Sequence, residues 1–262
     1  MIIDGHSHVV LPVEKHIALM DEAGIDKTVL FSTLIHPEKA ADMEHLKAEM
    51  SALNEIITGK RNAGEARVKA MEELNAAIRQ YPARFVGFGN IPVGLSYDDT
   101  AAYVQKYVVG AGHIGLGEFT MGSGQIGLLD VVFQAAASFG NLPIWIHAFN
   151  PLLLKDIQEV RALAGKYPDV PVILGHMGGS FWMESIEFVK QTPNLYMDLS
   201  AYFSTLVLKI AILEAPLKVI YGVDLPYGDL LLARQGIERV CTDASVRACV
   251  LGENIGELLG LS

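Results

Sequence analysis

Asp4-Gly5-His6-Ser7-His8 sets two imidazoles two residues apart near the start of the chain. On an extended strand residues i and i+2 point to the same side, so both rings can meet one ion or one proton. A His-x-His pair alone is a weak signal. It gains force from ionisable side chains that close later apolar runs. Glu118 follows Gly115-Leu116-Gly117, and His147 follows Ile144-Trp145-Ile146. His176 follows Val172-Ile173-Leu174-Gly175, and Asp224 follows Val219-Ile220-Tyr221-Gly222-Val223. Such a group at the end of a buried strand is costly unless it is paired or coordinated. Five runs therefore offer residues of the types that hold metals or move protons.

Parallel strands are the elements that would bring these residues together. The sequence predicts strands near 2–9, 27–32, 85–90, 114–119, 144–148, 172–176, 195–199 and 218–223. Several are apolar throughout rather than alternating, as in a sheet buried on both faces. Helical spacing lies between them. Ile17, Met20 and Ala23 precede a C-capping Gly24, Leu154, Ile157, Val160 and Ala164 form one stripe, and Tyr103, Val104, Tyr107 and Val108 another. Eight strands alternating with helices predict an α/β fold, a (β/α)₈ barrel of one domain over residues 1–262, whose active site lies at the C-terminal strand ends. One connection is long. Residues 36–84 are Ala/Glu-rich and broken by Gly59-Lys60-Arg61-Asn62-Ala63-Gly64, a helical insertion after strand two that is either a lid or a solvated hairpin.

Composition narrows the function classes. A chain of 262 residues that is 51% hydrophobic and 19% charged has enough apolar surface for a full core. A formal charge of −10 gives no basic field for a nucleic-acid backbone or an anionic membrane. Residues 131–154 carry no Asp, Glu, Lys or Arg, but Gly140-Asn141 and Pro143 break the run into a helix end, a turn and a buried strand. No signal peptide is visible, and a soluble cytoplasmic protein is the expectation. Cys241 and Cys249 are too few for a disulfide scaffold and read as small apolar side chains of one helical region.

Taken together, Ile3-Asp4-Gly5-His6-Ser7-His8, the His147 and Gly175-His176 strands, Tyr221-Gly222-Val223-Asp224-Leu225-Pro226 and the closing Glu253–Leu261 segment resemble the amidohydrolase superfamily. Within it the chain is similar to the amidohydrolase-2 group that includes aminocarboxymuconate-semialdehyde decarboxylase-like proteins. The resemblance runs nearly end to end. It implies a divalent metal held by His6, His8, His147 and Asp224, with His176 either a further ligand or the group that polarises the substrate. Histidines with a carboxylate suit Zn²⁺, with Mn²⁺ or Fe²⁺ as other occupants. Water activated by such an ion ionises near neutrality, and Asp224 could take its proton and return it to a leaving group. Gly117-Glu118 also resembles the TatD-like deoxyribonuclease branch, where a glutamate bridges two metals, so the site holds one ion or two. Without that role, Glu118 would bond substrate or His147.

Other residues carry less. Phe149, Trp182 and Tyr202 follow catalytic-face strands and either line a substrate pocket or pack in the core. Lys60, Arg61 and Arg67 either reach a substrate carboxylate or are solvated surface. Asp4 reads as orienting the first strand or a neighbouring loop, and Asp198 as structural or as an outer partner of the site's side chains. His16 and His45 read as solvated, His113 as lying on the face opposite catalysis, and His36 as a loop residue ending strand two. The leading function is hydrolysis of a C–O or C–N bond in a small, carboxylated or cyclic substrate, with His176 stabilising the oxyanion. The alternatives are nonoxidative decarboxylation of an unsaturated or aromatic acid, TatD-like phosphodiester cleavage, and a metal-free binding barrel. The expected partner is a small molecule, not nucleic acid or membrane, and a homodimer is the commonest assembly for such a chain.

Overall fold

The structure, a computed structural model, describes residues 1–57 and 64–261. Its strands are β1 (Ile3–His8), β2 (Lys27–Phe31), β3 (Phe85–Gly89), β4 (Gly115–Phe119), β5 (Ile144–Ile146), β6 (Val172–Leu174), β7 (Leu195–Asp198) and β8 (Val219–Ile220). All pair in parallel in chain order. The sheet closes where Gly5 N–H donates to Tyr221 O and His8 N–H to Leu225 O, each at 2.8 Å. The result is the expected (β/α)₈ barrel. Between the strands lie α1 (Val13–Ala23), α2 (Met43–Ile57), α3 (Gly64–Gln80), α4 (Tyr97–Tyr103), α5 (Asp130–Ser138), α6 (Leu154–Lys166), α7 (Trp182–Gln191) and α8 (Thr205–Glu214). After β8 come α9 (Leu230–Val240), α10 (Ala244–Ala248) and α11 (Asn254–Leu259). Among the described residues no helix is long and apolar enough to cross a membrane.

The barrel interior is a stack of inward side chains. Ile3, Val29, Phe31, Phe88, Trp145, Ile173 and Ile220 fill it, and Ile255 of α11 joins the same cluster. Polar residues begin above this layer. Strand β1 carries one extra residue against β2 between Asp4 and Ser7. Such a bulge resets the alternation, so Ile3 faces inward below while His6 and His8 face inward above. His6 packs edge-on against Phe31 at 4.9 Å and Trp145 at 5.4 Å between ring centres. Asp4 secures this turn of chain. It accepts the backbone N–H of His6 and of Val223, each at 3.1 Å, and the Ser7 hydroxyl at 2.5 Å.

Strand ends differ from expectation where the backbone leaves β space. β6 stops at Leu174 because His176 and Met177 adopt φ 55° and 57°, and β8 stops at Ile220, short of Asp224 with φ 60°. Left-handed backbone is uncommon for non-glycine residues and cannot extend a ladder. Cys241 is buried at the end of α9, and Cys249, half-buried, directly follows α10.

His16 corrects the solvated reading. The buried stripe of α1 is Val13, His16, Met20 and Ala23, so helical spacing carries His16 inward, where its ring lies 5.2 Å from Phe85. Burial, helped by the charge of Arg84, pushes its pKa down to about 4 from 6.5. Above pH 6.5 both folded and unfolded chains hold it neutral. As pH falls from 6.5 toward 4, only the unfolded chain takes up the proton, and stability is lost at about 1.4 kcal/mol per pH unit. Asp4, its carboxyl raised by burial to about 7, works in the opposite sense over an overlapping range, so a variant comparison isolates the effect. His16→Leu is expected to flatten the fall of urea-unfolding stability across that window by this slope. Parallel curves for the two proteins would refute the assignment. His45 is exposed as expected, and His113 is buried just before β4.

Candidate active site at the barrel mouth

Four histidines and three carboxylates converge at the C-terminal strand ends: His6, His8, His147, His176, Glu118, Asp198 and Asp224. Their electrostatics start from Asp198 on β7, which is fully buried. Its Oδ2 accepts His6 Nδ1–H at 2.7 Å and Trp145 Nε1–H at 3.0 Å. Its Oδ1 accepts the backbone N–H of His176 at 3.0 Å, that of Ser200 at 2.8 Å, and the Ser200 hydroxyl at 2.5 Å. Burial opposes ionisation, but the charge and hydrogen bond of His6, with His176 and Ser200, hold the Asp198 carboxyl down at about 2.

These bonds fix the histidine tautomers, because a ring nitrogen that donates outward leaves its lone pair on the other side. His6 donates through Nδ1 to Asp198, so Nε2 faces the mouth. The Ser200 hydroxyl gives its proton to Asp198, so the 2.9 Å contact between His176 Nδ1 and Ser200 Oγ is a donation by the ring. His8 Nδ1–H donates to Ser32 O at 3.3 Å, and His147 Nε2–H donates to Asn150 O at 3.2 Å. All four inner nitrogens therefore turn to one space, where each offers a lone pair when its ring is neutral and a donor to Glu118 when it is protonated.

Two donor groups result. Nitrogens of His6 and His8 and an oxygen of Asp224 lie within 4.8 Å of one another, as do those of His6, Glu118 and His176. In the first, Asp224 Oδ1 is 3.3 Å from His8 Nε2 and 4.0 Å from His6 Nε2. Both His6 Nε2 and Asp224 Oδ1 are buried without a hydrogen-bond partner. Glu118 stands between the groups. Its Oε2 faces His6 and His8 at 3.6 and 3.7 Å, and its Oε1 faces His147 and His176 at 3.2 and 3.0 Å. The structure thus puts His147 beside Glu118 and His176, its Nδ1 only 2.9 Å from His176 Nε2. Burial disfavours the Glu118 anion, yet His6, His147 and His176 together hold its carboxyl well below the usual range. Burial likewise opposes protonation of His6, which Glu118 and Asp198 outweigh.

Glycines make this crowding possible. A Cβ on Gly222 would lie 3.1 Å from the His6 Cβ and 3.3 Å from the Asp198 Cβ. Of the aromatic candidates, Phe149 lies 6.4 Å from His147 and 6.1 Å from His176 between ring centres. Tyr202 lines a cleft of about 400 Å³ with Ser200, Gly222, Tyr227 and Asp229, and Trp182 packs on Phe203. Lys60 and Arg61 lie outside the described residues. Arg67 is half-buried rather than solvated, bonded to Asn90 and Ile91. β2 ends at Phe31, so His36 does not end it. His36 instead bridges Glu38 at 2.9 Å and Glu73 at 3.0 Å.

Sequence reasoning passed over Trp145, Ser200 and Tyr227. A Ser two residues beyond an inward Asp was the available signal for Ser200, by strand alternation. Tyr227 follows Asp224 by a turn, its N–H on Asp224 O at 2.8 Å, and burial with Asp224 and Glu118 nearby raises its hydroxyl to about 12.

Solved structures of similar shape span the whole chain. A 2,6-dihydroxybenzoate decarboxylase, complexed with 2,6-dihydroxybenzoate, superposes with TM-score 0.70 at 16% identity, covering 99% of each chain. The 5-carboxyvanillate decarboxylase of Sphingomonas paucimobilis gives 0.69 at 17%, covering 100% of this chain and 99% of that one. A dihydroxybenzoic acid decarboxylase of Polaromonas sp. JS666, with bound manganese and the inhibitor 2-nitroresorcinol, gives 0.67 at 18%, covering 99% and 97%. At such identities the likeness is one of fold. No curated protein matches the chain in sequence. The amidohydrolase family model matches residues 3–261, and the chain belongs to that family.

Proposed function

We propose that this chain is a metal-dependent hydrolase of a small carbonyl compound, cleaving a C–O or C–N bond at the barrel mouth. The observation that carries the reading is the set of four histidines whose outer nitrogens all meet protein acceptors, so that the other nitrogen of each ring turns inward and can serve as a ligand once neutral. Metal-binding histidines are held in this way by their outer partners. Two facing lone pairs 2.9 Å apart at His147 and His176 call for a proton or a cation between them. The partnerless His6 Nε2 and Asp224 Oδ1 ask for the same at the first group. His6, His8 and Asp224 would hold the ion, with Glu118 and His147 completing the donor set. A divalent ion there supplies Lewis-acid polarisation of a substrate oxygen and lowers the pKa of water.

The chain's own residues do the rest. Asp224 Oδ1 takes a proton from the attacking water and gives it to the departing oxygen or nitrogen, so the carboxylate is regenerated. His176, its Nδ1 tied through Ser200 to Asp198, steers the substrate, and in its protonated form stabilises negative charge there by donating from Nε2. Phe149 and the Tyr202–Tyr227 cleft supply apolar walls.

Nonoxidative decarboxylation is the second reading, favoured by the decarboxylases among the structures of similar shape. There Asp224 or His176 would deliver a proton to the carbon that loses CO₂. Protein purified without chelator is expected to carry at least one equivalent of Zn²⁺ or Mn²⁺, lost in a His6→Ala/His8→Ala variant. A second equivalent would assign Glu118 a bridging role. Protein that holds no metal after reconstitution would sink the proposal. Turnover in H₂¹⁸O separates the reactions: label in the product acid marks hydrolysis, and release of CO₂ with an organic product that gains no label marks decarboxylation.

A further inference from the structure

Arg67 stands in the first turn of α3, inside the insertion after β2, in a chain with ten more acidic than basic residues. Its Nη1 donates to Asn90 Oδ1 and to Ile91 O, the latter at 3.1 Å. Both acceptors are neutral, and among the described residues no carboxylate pairs with it. Burial pushes the guanidinium below its usual value, with Tyr103 opposing. The place matters as much as the missing counter-charge. Phe88 fills the barrel interior, so alternation turns Asn90 inward at the mouth. Asn90 Nδ2 then donates to the backbone carbonyl of Glu118 at 3.0 Å. Arg67 is thus tethered through one side chain to the strand end that carries the central carboxylate.

A guanidinium has five N–H donors. Two, both on Nη1, are spent on Asn90 and Ile91. The Nε–Nη2 edge has no partner among the described residues, and neither atom is among the buried unpartnered ones. That edge matches the two oxygens of a carboxylate. We propose that Arg67 binds a carboxylate of the substrate side-on, holding it at the β3–β4 side of the mouth with its reacting group toward Asp224 and His176. This deepens the functional reading above and rests on it for the location of the reacting group. The anion site itself needs no metal.

Calorimetry with benzoate and with its uncharged amide, benzamide, tests it on chelator-stripped protein and on metal-reconstituted protein. Benzoate is expected to bind the stripped wild type and to lose tenfold or more in Arg67→Met, while Arg67→Lys, which keeps charge without the fork, falls between. Benzamide affinity is expected to be the same in all three. Equal benzoate affinity in wild type and Arg67→Met would overturn the proposal, as would failure of wild type to bind benzoate in either form. Because the stripped protein carries the readout, an anion site that survives in a protein with no metal-dependent activity would refute the functional reading and leave this one standing. Unchanged thermal midpoints and circular dichroism identify the variants as folded, and Arg67→Lys serves if Arg67→Met is not.

Discussion

Asp224→Asn is expected to lower kcat/KM by a factor of about 10² to 10⁴, the range for loss of a positioned acid–base group. Asparagine has the same shape and tolerates the left-handed backbone at this position, where φ is 60°. The backbone anchor, Asp224 N–H to His6 O at 2.6 Å, is kept. What is lost is the charge at Oδ1, 3.3 Å from His8 Nε2, and the capacity to take a proton there. The two roles separate on titration with metal. If Asp224 only helped to hold an ion, excess Zn²⁺ or Mn²⁺ would restore turnover. As a proton carrier it leaves kcat low when metal saturates the site. Full recovery of kcat at high metal would remove Asp224 from the proton path.

Asp198→Asn is expected to act through the histidines without touching substrate. Five donors meet this carboxylate. An amide offers one acceptor oxygen and adds two N–H groups. Turned toward His6, the amide nitrogen donates to Nδ1 and drives the ring proton to Nε2, so the inward lone pair disappears. Turned the other way, it meets the backbone N–H groups of His176 and Ser200. Either arrangement leaves buried donors unmet, a cost of about 3 kcal/mol or more for a broken buried charge pair, or roughly 10 °C in thermal midpoint for a chain of this size. Loss of an outer partner of this kind lowers metal affinity about 10- to 100-fold. Equilibrium dialysis against Zn²⁺, beside the thermal midpoint, measures both. A variant that binds metal like the wild type and melts with it would show that Asp198 does not orient His6.

The barrel and its reactive rim were legible because they follow from period. Apolar runs ending in His147, His176 and Asp224 announce strands and their C-terminal ends without knowledge of any contact. Glu118 was legible as a residue but not as the centre of the site. Its two oxygens divide between histidines from β1 on one side and from β5 and β6 on the other, a placement that depends on barrel closure. Asp198 reads in sequence as structural or as an outer partner of the site, without saying of which side chains. Only the meeting of β1, β5, β6 and β7 shows that it sets the tautomers of two histidines. His16 was misread for a local reason. A histidine among charged neighbours looks solvated, whereas its place in the stripe of Val13, Met20 and Ala23 decides otherwise. Arg67 was legible only as one of two readings, a side chain for a substrate carboxylate or solvated surface, and what favours the first, the want of an anionic partner among the described residues, is encoded in no motif.

The seam of the barrel has a consequence for biosynthesis. His6 and His8 come from the first strand and Asp224 from the turn after the last, and the three meet only where Ser7 pairs with Leu225. A nascent chain with its amino-terminal half already folded has the two histidines and Glu118 but not Asp224. The reactive rim is therefore finished last, when the chain's two ends close on each other. Any ion captured there would fasten together segments more than two hundred residues apart, and a truncated product would be inert as well as open.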